Sequence, residues 1–215
     1  MYVPHHFATD DADALIARLA RRWAGVLITM GEDGAPVGTH MPILWDAEKR
    51  VATGHIARAN PQWKQSGGKG LIVLSGPEAY VTPAWYPSKA EHGKTVPTWN
   101  YEAVHITGQV EWFDDPVRLE AIVEDLSAFH ENGRAEPWKL SDAPRPYIDA
   151  LLRGIVGVEL HAERIEGKRK LSQNKSKGDF NGVADGLAAS ADPLAQEVAA
   201  LMRAECAVGD KPDGN

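Results

Sequence analysis

The chain has 215 residues, 43% hydrophobic and 25% charged, and 23 Lys and Arg against 30 Asp and Glu leave a formal net charge of −7. A chain of this size can bury a full core without staples, and its acidity excludes a general nucleic-acid binder, since duplex binding relies on cations that displace counterions. The single cysteine, Cys206, excludes an intrachain disulfide and points to a reducing compartment.

The opening Met1 to Phe7 has neither a basic start nor an apolar segment, so no signal peptide is expected. No apolar run approaches the ~18 residues of a membrane span, and the expectation is a soluble, cytoplasmic protein with no membrane partner. Thr9 or Asp10 is placed to cap a helix running to Trp23, with Leu15, Ile16, Leu19 and Trp23 on one face. Val26 to Met30 then reads as a strand, Glu32-Asp33-Gly34 as a hairpin turn, Pro36 to Trp45 as a second strand and Val51 to Ile56 as a third, together a meander. Asn60-Pro61 opens a short helix through Trp63 and Lys64.

Leu71 to Leu74 and Ala79 to Thr82 read as strands broken at Ser75-Gly76-Pro77, and residues 83–98 as a loop. Trp99 to Phe113 is long and extended. Asp115-Pro116 starts a helix striped by Leu119, Ile122, Val123, Leu126 and Phe129. A loop over 132–146, a short helix over Tyr147 to Arg153 and a last strand over Ile155 to Ile165 follow. Beyond a basic run, Lys168 to Lys177, Asp192-Pro193 signals one more helix with Leu194, Val198, Leu201 and Met202 at helical spacing. Residues 178–190 and 207–215 are expected to be flexible. Six strands with a few helices suggest a small, mostly antiparallel β-barrel in an α+β fold.

Four segments carry candidate chemistry. In His55 to Trp63 a strand ends and a capped helix begins, which suits a phosphate, and Arg58 could grip one with two N–H groups; a solvated Arg58 and a barrel-filling His55 stand beside that reading. Along Val96 to His105, Trp99, Tyr101 and His105 share one strand face and could line a slot for a flat heterocycle, or simply fill the barrel. Lys168 to Lys177 is a solvated linker, a nucleic-acid patch, or a source of hydrogen bonds to a cofactor from Ser172, Gln173 and Asn174. Trp85-Tyr86-Pro87-Ser88-Lys89 is either a lid or dimer contact, or an anchor for its loop. No HExxH or Cys/His cluster supports a metal, Gly67-Gly68-Lys69-Gly70 follows a helix rather than a strand and so is no P-loop, and no Cys-His arrangement activates Cys206.

The segments MYVPHHF, HIARANPQW, WYPSK, VPTWNYEAVHITG and KLSQNKS, in this order, closely resemble the PaiB family of FMN-binding negative transcriptional regulators, from Met1 to about Leu187. The resemblance implies an antiparallel FMN-binding split barrel over 1–187, with a C-terminal helix and tail over 188–215 that match no family motif. It implies a homodimer with FMN in the groove between two barrels. Thr39, His40, His55, Arg58 and Asn60 would face the phosphate and ribityl chain. Trp99, Tyr101 and His105 would approach the ring, and Lys170, Ser172 and Gln173 would enter the same cleft. Three functions follow as expectations: a flavin-binding repressor with DNA as a partner, an FMN-dependent oxidoreductase or flavin reductase without an obvious acid or base, and a haem binder using His40, His55 or His105.

Overall fold

The computed structural model describes residues 1–65 and 68–209. Seven strands form one sheet: β1 (Gly25–Met30), β2 (Pro36–Met41), β3 (Leu44–Asp46), β4 (Val51–Ala57), β5 (Gly68–Val81), β6 (Thr98–Phe113) and β7 (Ile155–Lys170), in the order β2-β1-β5-β6-β7-β4-β3. The helices are α1 (Ala12–Ala20), α2 (Gln62–Gln65), α3 (Ser88–His92), α4 (Pro116–Glu131), α5 (Arg145–Leu152), α6 (Lys177–Ala188) and α7 (Pro193–Gly209). The α+β class read from the sequence holds. Among the described residues no helix is long and apolar enough to cross a membrane.

The chain divides into two compact units. The first comprises Met1–Asp10, Ser75–Ala103 and the chain from Gly167 onward; the second comprises Asp11–Leu74 and Val104–Glu166. In the second unit, Ile16 and Leu19 of α1 pack with Leu27, Ile72, Ile106 and Leu160 of the sheet. A further cluster joins Leu119, Ile122 and Leu126 of α4 to Ile148 and Leu152 of α5. Asp115 caps α4 by accepting from the Arg118 N–H at 2.9 Å, with Pro116 in the first turn, as the sequence signalled. The first unit has its own core, in which Val81 and Tyr86 pack with Leu171, Val183, Leu187, Val198 and Met202. Each fully buried side chain of this kind contributes about 1.5–3 kcal/mol.

Several boundaries differ from the sequence reading, each for a local reason. The cap of α1 is Asp11, which accepts from the Ala14 N–H at 2.8 Å, because Thr9 is held by the Gly167 carbonyl beside an Ala8–Lys168 bridge. The helix ends at Ala20, before Trp23. The expected second strand is two, since Pro42 has no N–H for a ladder. This also breaks the meander: β2 pairs with β1, whereas β3 pairs with β4 and β4 with β7. Conversely β5 runs unbroken through Ser75-Gly76-Pro77, because Pro77 lies beyond the Leu71–Val73 ladder with β1 and its missing N–H removes no bond there.

Residues 83–98 are not all loop. A 3-10 turn, Pro83–Trp85, is capped by Thr82, and α3 closes at Gly93, whose φ of 66° is the left-handed conformation that favours glycine. The 132–146 loop carries a 3-10 turn at Leu140–Asp142, and α5 begins at Arg145. The last strand continues five residues past Ile165 to Lys170. The largest correction is 178–190, expected to be flexible: it holds α6, capped by Ser176 and buried along Val183, Ala184 and Leu187. The backbone of α7 reaches Gly209; residues 210–215, Gly67 and the side chain of Cys206 lie outside the described residues.

Candidate functional site

In the first unit, β6 alternates faces, and the alternation sorts chemistry. Asn100 and Glu102 point inward, each 1% exposed, while Trp99 is 50% exposed and Tyr101 half-buried. The aromatic face is thus the outer one, and Trp99 meets Tyr80 edge to face at 6.0 Å. The inner face is polar and needs partners. They come from the end of β7 and the turn after it. Arg169 pairs with Glu102 at 2.7 Å and with Glu205 of α7. The Asn100 amide donates to Ser172 Oγ at 3.0 Å, and that hydroxyl returns a bond to Asn100 Oδ1 at 3.2 Å. Ser172 is 3% exposed and has a φ of 67°, which a side chain rarely adopts.

Three ammonium groups surround this turn. Lys168, 8% exposed, donates to the Tyr2 carbonyl at 3.2 Å and lies 5.3 Å from the centre of the Tyr101 ring. Lys170 lies 5.9 Å from the same ring and donates to Thr98 Oγ1 and the Trp99 carbonyl. Lys175 sits 5.0 Å from the Tyr86 ring. Burial holds the Lys170 ammonium below its ordinary pKa of 10.5, and the like charges of Lys168 and Lys175 push the same way. Lys170 and Lys175 line a cavity of about 180 Å³ with Thr98, Asn100, Ser172 and Asn174. A partly desolvated cation and a second ammonium, with hydroxyls and amides beside an apolar side of Phe7, Val96 and Pro97, suit an oxyanion.

Within the basic run, Lys168, Arg169 and Lys170 are thus engaged by protein partners, whereas Lys177 is exposed. Gln173 closes the turn by accepting from the Leu171 N–H at 2.8 Å and donating to the Arg169 carbonyl at 2.7 Å. The WYPSK segment anchors α6. Ser88 donates to Asp179 through its N–H and its hydroxyl, at 3.1 and 2.8 Å. Burial works to raise the Asp179 pKa, but these bonds outweigh it and hold the carboxyl below its ordinary value. The Tyr86 hydroxyl is buried without a hydrogen-bond partner, and burial followed by the Asp179 charge raises its pKa.

The remaining expected residues belong to the second unit. Asn60 Oδ1 accepts from the Gln62 N–H at 3.0 Å, the expected cap, and its amide donates to Thr39 Oγ1 at 2.8 Å, tying β2 to the turn. Gln62, fully buried, donates to Thr29 Oγ1 at 3.0 Å and to the Leu27 and Val37 carbonyls. Arg58 spans the turn, donating to the Arg153 and Ile155 carbonyls at 2.8 and 3.1 Å and pairing with Asp114 at 3.3 Å. His40 is exposed on β2. The buried Nδ1 of His55 has no partner, and burial depresses the pKa of both His55 and His105.

Of the eleven expected residues, Lys170 and Ser172 meet in one cavity, and Thr39 joins Asn60. Sequence reasoning missed Thr98, Asn100 and Lys175, whereas Asn174 was named there as a hydrogen-bond source and does line the cavity. The period-two alternation of Thr98, Asn100 and Glu102 with Trp99 and Tyr101 was the available signal for the first two. Glu111, Glu159 and His161 also cluster, but Arg118 already pairs with both carboxylates, at 3.0 and 3.1 Å.

Residues 1–164 match the family model described as "Putative FMN-binding domain". The Bacillus subtilis (strain 168) protein named "Protease synthase and sporulation protein PAI 2" is 31% identical over 206 residues, covering 94% of this chain and 96% of its own. The uncharacterized protein AN0679 of Emericella nidulans is 30% identical over 209 residues, covering 80% and 83%. Among solved structures, the flavocytochrome Anf3 from Azotobacter vinelandii superposes with a TM-score of 0.58 at 14% identity, over 82% of this chain and 76% of that one. The conserved hypothetical protein Rv2991 from Mycobacterium tuberculosis gives 0.57 at 15%, over 81% and 92%. These likenesses show the split-barrel fold, and the full-length relative together with the matched domain show that the chain belongs to the PaiB family of FMN-binding proteins.

Proposed function

We propose that this protein holds FMN as a negative transcriptional regulator of the PaiB type, with the flavin phosphate between Lys170 and Lys175 and a second copy of the chain completing the site. FMN brings a dianionic phosphate and a redox-active ring. The carrying observation is the lysine-lined cavity. Lys170 is desolvated and repelled by its neighbours, so a bound dianion offsets both penalties at once. Thr98 and Asn174 add neutral polar groups beside it.

The size of the cavity supports the dimer. At about 180 Å³ it falls below the ~300 Å³ at which whole-ligand pockets begin, so it suits a phosphate and the start of the ribityl chain. The ring needs a flat apolar surface, and the half-exposed indole of Trp99, braced edge to face by Tyr80, offers one. Repression by direct DNA contact would use cations other than Lys168, Arg169 and Lys170, which are engaged within the first unit.

The test is titration of the apoprotein with FMN and with riboflavin, which lacks the phosphate. Lys170→Met or Lys175→Met should each weaken FMN by about 1.5–3 kcal/mol, the range for hydrogen bonds to charged groups, and leave riboflavin unchanged. Equal losses for both flavins would remove the phosphate from this cavity. Retention on duplex DNA at moderate salt supports the regulator. Bleaching of the flavin by NADH or NADPH without any retention makes it an oxidoreductase instead.

A further inference from the structure

The two lysines of the cavity flank a turn whose shape is set from behind. Lys170 ends β7, and Lys175 follows a turn closed by its own N–H on the Ser172 carbonyl at 3.0 Å. Two ties bind that turn to α7, which among the described residues contributes none to the cavity lining. One runs through Arg169. Its guanidinium bridges the fully buried Glu102 of β6 and Glu205 of α7, and its carbonyl accepts from Gln173, the residue that closes the turn. The other runs through Asn100, whose amide holds Ser172 Oγ at 3.0 Å and also reaches Met202 Sδ of α7 at 3.4 Å. Without those ties a serine at a φ of 67° has every reason to relax toward the ordinary regions. The helix, like Lys170 and Lys175 themselves, lies outside the residues 1–164 matched by the family model.

We infer that α7 is a positioning element for the anion site, and that Glu205, through Arg169, sets the placement of Lys170 and Lys175 without touching the ligand. This rests on the phosphate assignment made above. Two opposite effects separate positioning from simple charge. Glu205 is an anion near a cationic cavity and repels a bound phosphate, so on Coulomb grounds alone its removal strengthens phosphate binding. If instead it holds Arg169 and the turn in place, its removal weakens binding.

Deleting α7 would strip Val198, Ala199 and Met202 from the first unit's core, so the variant to use is Glu205→Gln in the full chain, which keeps the helix and its packing. Affinities for FMN and riboflavin are measured together with the visible circular dichroism of bound FMN and the unfolding free energy. FMN affinity should fall roughly tenfold, within the range of couplings carried through packed networks, and riboflavin affinity should not change. The dichroism should change as the flavin is reseated. Glu205→Gln and Arg169→Gln should be non-additive on FMN affinity, because both cut one tie. Unchanged or tighter FMN binding overturns the inference, even with lowered stability, since a merely structural helix would lower stability alone. If Lys170→Met spares FMN, the phosphate assignment fails and this inference with it; if Lys170→Met weakens FMN while Glu205→Gln does not, only this inference fails.

Discussion

Replacing Ser172 by Gly and by Ala isolates the strain stored in the turn. Both variants lose the hydroxyl that exchanges two bonds with Asn100, at 3.0 and 3.2 Å. Asn100 is 1% exposed, so its Oδ1 is left without that donor, at about 1–3 kcal/mol. Up to this point the two variants are alike. Alanine must still adopt a φ of 67°, which costs a residue with a Cβ about 1–2 kcal/mol, whereas glycine adopts it freely. Glycine loses about 0.5–1 kcal/mol more chain entropy on folding. The midpoints of these two ranges leave Ser172→Gly more stable than Ser172→Ala by about 0.75 kcal/mol, the reverse of the usual order. Urea unfolding at a common slope reads this difference directly. If the alanine variant proves equally or more stable, the turn is not strained and the argument that it needs holding is wrong.

Other outcomes follow from single contacts. A Cβ on Gly182 would sit 2.1 Å from the Trp85 carbonyl oxygen, a backbone atom that no rotamer change can move. Gly182→Ala should therefore lower the melting temperature, although alanine gains ~1 kcal/mol over glycine in an open helix. Burial depresses the His55 pKa, so the unfolded chain takes up that proton first. Stability should fall as pH drops through the ordinary 6.5 and stop falling below the folded value, and His55→Gln should flatten this segment of a stability–pH curve. For Lys170 the depressed pKa means that its charge is lost at lower pH than for an ordinary lysine. FMN affinity should decline on the alkaline side below pH 10.5, and Lys170→Met should abolish that limb of the binding profile.

Where local chemistry dictates conformation, the sequence was readable. The Asp115-Pro116 start of α4, the Asn60 cap of α2 and the whole of β6 lie where caps and alternation put them. The failures come where a tertiary neighbour overrides a local signal. Gly178, Gly182 and Gly186 mark α6 as a poor helix, yet two of them are the surface on which Trp85 lies, with its ring atoms 2.4–2.6 Å from where a Gly186 Cβ would be. Ser75-Gly76-Pro77 looks like a break but falls beyond the β1 ladder. The site was half legible. Lys170 and Ser172 stood out because their motif is distinctive, whereas Asn100 and Glu102 hid between two aromatics, and their burial depends on Ser172 and Arg169, some 70 residues away. Arg58 was read as a hook for a ligand, and its hydrogen bonds to the Arg153 and Ile155 carbonyls tie its turn to the start of β7, a contact that no local signal announces.

The inward commitment of the Lys168-Arg169-Lys170 run changes what the formal charge of −7 means. Cations that already serve a carboxylate, a carbonyl or a ring displace no ions from a polyanion. Any contact with nucleic acid would therefore draw on other cations of the chain, and its salt dependence would count those alone.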